Sequence, residues 1–194
     1  MSTRISSWVV AVAGLAGVAG TFGTLSRALA HGELFIGRRA SGQLTLDLAE
    51  FPTPFHLEPS FLPGFPGFAA GDAGVVSAVE DHPADDFFML SEQSNIELVI
   101  ASTTPGIIFF NGLTPLSPGE AFPCGAPIFH LHPIINVPVG DVGQHYFIDV
   151  FARDVNNIHT PSATVRLEFE TVPTPGVLGV AAVGLVACAR RRRR

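Results

Sequence analysis

Imidazole is the chemistry this sequence carries in most concentrated form. Seven histidines stand at positions 31, 56, 82, 130, 132, 145 and 159, and none precedes residue 31. The sharpest grouping is Phe129-His130-Leu131-His132-Pro133. On a strand, residues two apart point to one face, ~6.5–7 Å apart along the chain. His130 and His132 at that spacing can grip one metal ion at N–metal distances of ~2.0–2.1 Å. Phe129 and Leu131 would then face a core and hold the strand. The plainer alternative is two solvent-facing polar residues alternating with apolar ones.

His31 is the second candidate ligand, because processing of the leader can make it the first residue of the chain. His145 starts a run, His145-Tyr146-Phe147-Ile148-Asp149, in which it shares a strand face with Phe147 and Asp149. It is a possible further ligand with a carboxylate nearby. His159 sits in a polar turn and His56 in a Pro/Phe-rich stretch; both read more readily as structural. Glu80-Asp81-His82-Pro83-Ala84-Asp85-Asp86 packs four carboxylates beside one imidazole. It lacks a calcium-loop pattern, so a solvated acidic turn is the favoured reading, with a cation contribution as the alternative.

These residues sit in an acidic domain. Between 31 and 172 four arginines face all 17 Asp and Glu, a formal charge of −13 with His neutral, and the chain has no lysine. Nucleic acid demands a basic face and is excluded as a partner. A Walker loop, a GxSxG elbow, CxxC pairs and HExxH are absent from the sequence, and no Ser/His/Asp spacing nominates a triad. The residues point to binding rather than catalysis.

Both ends read as addresses. Residues 1–30 have a signal-peptide pattern: Arg4, the apolar stretch Trp8–Gly20 and the small-x-small site Ala28-Leu29-Ala30. Cleavage there would make His31 the first residue and add an α-amino nitrogen of pKa ~7.7–8.0 to its ring nitrogen. That chelate suits Cu(II), Ni(II) or Zn(II), and Glu33 two residues on could add a carboxylate. Residues 173–194 open with Pro173-Thr174-Pro175-Gly176, continue with 13 apolar residues over 177–189 and end in five arginines. Thirteen residues make a helix of ~20 Å, marginal for a hydrocarbon core of ~30 Å. The arginines would stay cytoplasmic and leave the domain outside the inner membrane. Cys188 falls in this tail, which leaves Cys124 alone in the exported domain, unable to bridge and best read as buried.

The middle, 31–172, predicts one all-β domain: an antiparallel β-sandwich of about seven to nine short strands. It holds 13 Gly and 14 Pro, which break helices, and 15 Phe, which can fill a core. Alternation marks strands at 43–49, where Leu44, Leu46 and Leu48 share a face, and at 163–171, where Val165, Leu167 and Phe169 do. Apolar runs mark 95–101, 106–110, 128–132 and 145–151, with weaker signals at 34–37, 75–79 and 87–90; the run at 75–79 is also compatible with a short helix. Residues 51–72, rich in Pro, Gly and Phe, predict an irregular but packed loop.

The tripartite tail, with Pro-x-Pro-Gly, a short Ala/Gly/Leu/Val helix and an arginine cluster, resembles the PEP-CTERM sorting signal read by exosortases, with Thr174 where that signal has Glu. Further motifs resemble one PEP-CTERM group in particular. They are His31-Gly32-Glu33, Gly71-Asp72-Ala73-Gly74, Glu80-Asp81-x-Pro83-x-Asp85-Asp86-Phe87-Phe88-x-Leu90 and His130-x-His132-Pro133. In this order they are similar to the PEP-CTERM proteins under the control of the zinc-uptake regulator. The resemblance implies an exosortase-type sorting partner, a cell-envelope location with initial anchoring in the inner membrane through 177–189, and an association with Zn²⁺ rather than a reaction. The favoured expectation is a surface-anchored, non-enzymatic zinc-binding protein using His130, His132, His31 and His145. A matrix module associated with exopolysaccharide, and a periplasmic Cu²⁺ protein built on the terminal His31, are the competing ones.

Overall fold

The computed structural model describes residues 32–70 and 72–173. The leader 1–30, His31 and the tail from 174 onward, with the readings placed on them, lie outside the described residues. Among the described residues the chain forms thirteen strands and one 3₁₀ turn, Pro83–Asp85, and no helix is long and apolar enough to cross a membrane. The strands are β1 (Gly32–Arg38), β2 (Leu44–Glu50), β3 (Phe55–Pro59), β4 (Phe68–Ala70), β5 (Ala73–Ser77), β6 (Ile96–Thr103) and β7 (Ile108–Asn111). They continue as β8 (Thr114–Leu116), β9 (Ala121–Gly125), β10 (His130–Leu131), β11 (Ile134–Val137), β12 (His145–Asp154) and β13 (Val165–Thr171).

The all-β expectation holds; in place of an antiparallel sandwich of seven to nine strands, the described residues form thirteen strands in two sheets, the larger nearly closed into a barrel. One sheet has four strands in the order β10-β5-β1-β2, the other nine in the order β8-β7-β11-β4-β3-β13-β12-β6-β9. Two pairings, β1 with β5 and β13 with β3, are parallel. The large sheet curls until Phe109 of β7 and Phe122 of β9 stack edge to face at 5.5 Å, which nearly closes it into a barrel. Leu34, Ile36 and Leu44 of the small sheet are buried in one core with Leu57, Leu98, Ile148, Val150 and Phe169 of the large one. The stretch expected to be irregular, 51–72, instead supplies β3 and β4. Its phenylalanines do pack: Phe51, Phe55 and Phe169 form a ring cluster with centroids 5.2–6.2 Å apart. The segment 75–79 resolves as strand β5, ending at Ser77.

The pairings give the barrel two rims with different contents. β3 runs parallel to β13, and the Val172 N–H donates to the Leu57 carbonyl at 2.9 Å, so both strands end together. Pro59 pairs with Phe68, and Phe68 with Val137, which puts the end of β11 at that same rim. His145 pairs with Glu170, so β12 begins there. The other rim holds the starts of β3 and β11 and the end of β4, from which the chain crosses to β5 of the small sheet.

Candidate metal centre

Strand β5 carries the site between its two neighbours. On one side β1 pairs with it in parallel, Glu33 opposite Gly74. On the other β10 pairs antiparallel, His130 opposite Val76. Gly74 and Val76 are two apart and share a face, so Glu33 and His130 project over the same surface of the sheet. The alternation expected around the His pair is present: Phe129 is buried, Leu131 packs against the core, and His130 and His132 are exposed. Ser77 locks the strand entrance. Its N–H donates to the Phe129 carbonyl and its Oγ accepts from the Phe129 N–H, both at 3.0 Å.

Gly74 makes the convergence possible. A Cβ at this position would stand 3.3 Å from Glu33 Cγ and 3.6 Å from His130 Nε2. With no side chain on the central strand, groups from the two flanking strands reach each other across it. His130 Nε2 lies 3.5 Å from Glu33 Oε1. A charge-assisted hydrogen bond is shorter, ~2.7–2.9 Å. Two donors on one tetrahedral zinc, each ~2.05 Å from the ion, stand ~3.3 Å apart. The rings of His130 and His132 lie 4.8 Å apart, centre to centre, and are tilted by 35°. Two imidazoles on one tetrahedral ion place their centres ~5 Å apart. Two nitrogens and one carboxylate oxygen are a borderline-hard donor set suited to zinc. Among the described residues no three His, Cys, Asp or Glu are placed to hold a metal ion. What the sheet brings together is Glu33 with His130 and His130 with His132, and Glu33 is two positions from His31 in the chain.

The remaining sequence candidates go elsewhere. His145 opens β12 in the large sheet, at the opposite rim, opposite Glu170; it is not brought to the pair. Glu170 also faces His56 of β3, whose Nε2 lies 3.9 Å from its Oε2. His159 is buried with both ring nitrogens engaged: the Ser91 N–H donates to Nε2 at 3.3 Å and Nδ1 meets the Gly42 carbonyl at 3.2 Å. Held between these two backbone groups, the ring has a structural role. In the acidic segment, Asp81 accepts from the Met89 N–H and Asp86 from the Ala40 N–H, each at 2.8 Å, while His82 pairs with Glu80 at 3.3 Å. These carboxylates shape a turn. Cys124 is buried on β9, and burial pushes its thiol up to about 12.

Two features escaped the reading of the residues. Gly74 entered only within the motif carrying the resemblance, although a glycine inside a buried Ala/Val strand is a signal of close approach. Asp154 stands in no motif of the sequence. Burial pushes its carboxyl up, but backbone N–H groups of Asn95, Asn156, Ile158 and His159, at 2.9–3.2 Å, pull it further down, and the net is below the usual range. On the outer face of the large sheet, the Arg166 guanidinium holds Asp149 below its usual range and lies over the Phe147 ring at 3.9 Å. No protein-family model, curated protein or solved structure matches the chain.

Proposed function

We propose that this chain is an exported, membrane-tethered, non-enzymatic zinc-binding protein of the cell envelope. His130 and His132 are its imidazole ligands and Glu33 its carboxylate. Processing after Ala30 adds His31, two positions before Glu33, as a further donor. The single observation that carries the reading is the 3.5 Å approach of His130 Nε2 to Glu33 Oε1 across a glycine. The distance is that of an ion pair and is close to the ~3.3 Å between two ligands on one tetrahedral ion. The export leader and the PEP-CTERM-like tail, with exosortase as sorting partner, support the location.

The test is calorimetric titration of Zn²⁺ into metal-free protein that starts at His31 and has no histidine tag. The expected result is one site of micromolar affinity or tighter, lost in the His130→Ala/His132→Ala double variant. Affinity is expected to fall in acid, where protons compete with the metal for its ligands. Equal binding by the parent and the double variant overturns the assignment. It leaves an acidic envelope module, associated with exopolysaccharide, as the reading to pursue.

A further inference from the structure

The described chain ends at Pro173, on the rim opposite the histidine pair. Thr171, fully buried, is knotted into the β11–β12 loop: its Oγ1 donates to the Asp141 carbonyl at 2.6 Å, and its own carbonyl accepts from the Gly143 N–H at 2.7 Å. That loop exposes Val139 by 86% and Val142 by 56%. The β3–β4 loop stands against it. Asn136 Nδ2 donates to the Pro66 carbonyl at 2.9 Å, and Gly67, at φ +86°, lies so close to the Val137 and Pro138 carbonyls that no Cβ would fit. Phe65 of this loop packs edge to face on Phe110 at 4.9 Å, which fixes the loop while its tip exposes Phe61 by 85% and Leu62 by 42%. Among the described residues, Phe61 and Val139 are the two most exposed large apolar side chains, and both flank the point where the chain leaves the barrel.

Sequence supplies the occupant. Four residues, 173–176, separate Val172 from the apolar run 177–189 and its five arginines. Four extended residues reach at most ~14 Å. A tail seated in a bilayer therefore holds this rim within ~14 Å of the interface. We infer that the Phe61–Leu62 and Val139–Val142 tips are a membrane-docking surface that inserts at the headgroup–acyl boundary, with the His130–His132 pair directed away from the lipid. This rests on the tail being a membrane anchor, part of the proposed function. The insertion is apolar: with four arginines against 17 acids between 31 and 172, the domain gains nothing from anionic lipid.

The experiment uses the chain processed after Ala30, which keeps the tail and carries no tryptophan because Trp8, the only one in the sequence, lies in the leader. It is reconstituted, domain outward, in phosphatidylethanolamine/phosphatidylcholine vesicles with brominated acyl chains. Single tryptophans are placed by Phe61→Trp, by Val139→Trp and, at the opposite rim, by Leu113→Trp, where the native side chain is 80% exposed. Emission from positions 61 and 139 is expected to fall by about half, and that from 113 to stay unchanged, as for side chains ~5–10 Å into the interface. Resistance to alkaline carbonate extraction reports the anchor separately. A tail that resists extraction with no quenching at 61 or 139, or with equal quenching at all three positions, overturns docking and leaves the anchor standing. A tail that is extracted overturns both.

Discussion

Placing a valine at Gly74 fills the gap that the proposed zinc site needs. The first added carbon already stands 3.3 Å from Glu33 Cγ and 3.6 Å from His130 Nε2. Alanine therefore touches both ligand side chains, and the two further methyls of valine occupy the surface between them. Position 74 lies in a strand without positive φ, so the backbone accepts either residue. The fold gains up to ~0.5–1 kcal/mol from the stiffer unfolded chain. Zinc ligands tolerate displacements of ~0.2 Å, and a contact of 3.3 Å forces a shift of a few tenths of an ångström. Disturbing the support of a metal ligand costs ~10–100-fold in affinity. Gly74→Ala is thus expected to weaken zinc about 10-fold and Gly74→Val about 100-fold, or ~2.7 kcal/mol. Competition against a chromophoric zinc chelator measures the affinities, and the thermal midpoint of the metal-free protein controls for folding. Zinc is expected to raise the midpoint of the parent and not that of Gly74→Val. A Gly74→Val protein that folds and binds zinc as tightly as the parent refutes the reasoning. Should valine lower the metal-free midpoint, the alanine variant decides.

Other features make independent predictions. Asp154→Ala strands four backbone donors and is expected to cost ~3–5 kcal/mol in urea unfolding. Because the folded carboxyl is held below its usual value, its stabilisation is complete above the unfolded pKa of ~3.9 and is lost as pH falls toward the folded one, so the variant should lose less stability in acid than the parent. Cys124, with its thiol pushed up to about 12, should resist iodoacetamide in the folded protein and react readily in denaturant. His159→Phe removes the partners of the Ser91 N–H and the Gly42 carbonyl; it should cost ~2–4 kcal/mol in thermal or urea unfolding without changing zinc affinity. His145→Ala, at the far rim, should leave zinc affinity in the calorimeter within about twofold of the parent.

Where alternation was strong, the sequence told the strands directly. Leu44, Leu46 and Leu48 point inward on β2, and Val165, Leu167 and Phe169 on β13, because a half-buried strand writes its two faces into successive residues. Strands of three to five residues leave no such record, so β3 and β4 were hidden in a Pro/Phe-rich stretch that resembles loop. At 87–90 an expected strand shrinks to isolated bridges, Arg38 with Phe88 and His82 with Phe87, because Asp81 and Asp86 bind the neighbouring backbone into turns. The His130–His132 face was legible; its partner was not. Glu33 reaches it only because β1 pairs in parallel with β5, 41 residues further on, and no local pattern encodes a parallel crossover.

The choice between zinc and copper turns on which donors the sheet brings together. Met89 is the only methionine among the described residues, and its backbone is tied to Asp81 beside the bridge between Arg38 and Phe88. Arg38 ends β1, five residues from Glu33, so that bridge lies ~17 Å along the strand from the carboxylate. The Cys124 thiol is buried on β9 of the other sheet and held in its protonated form. Among the described residues the cluster therefore offers nitrogen and oxygen, without the thioether or thiolate that selects Cu(I). Cu(II) binds almost any such set more tightly than Zn(II), so affinity alone does not separate them. The 3.5 Å separation of His130 Nε2 from Glu33 Oε1 lies nearer the ~3.3 Å of two ligands on a tetrahedral ion than the ~2.9 Å of neighbours in the tetragonal plane that Cu(II) prefers, which favours the proposed zinc reading. A terminal amine and ring at residue 31 are the groups that would supply such a plane. A chain extended by two residues before His31 should therefore lose most of any preference for Cu(II), while zinc binding at the site proposed on His130, His132 and Glu33 is expected to persist.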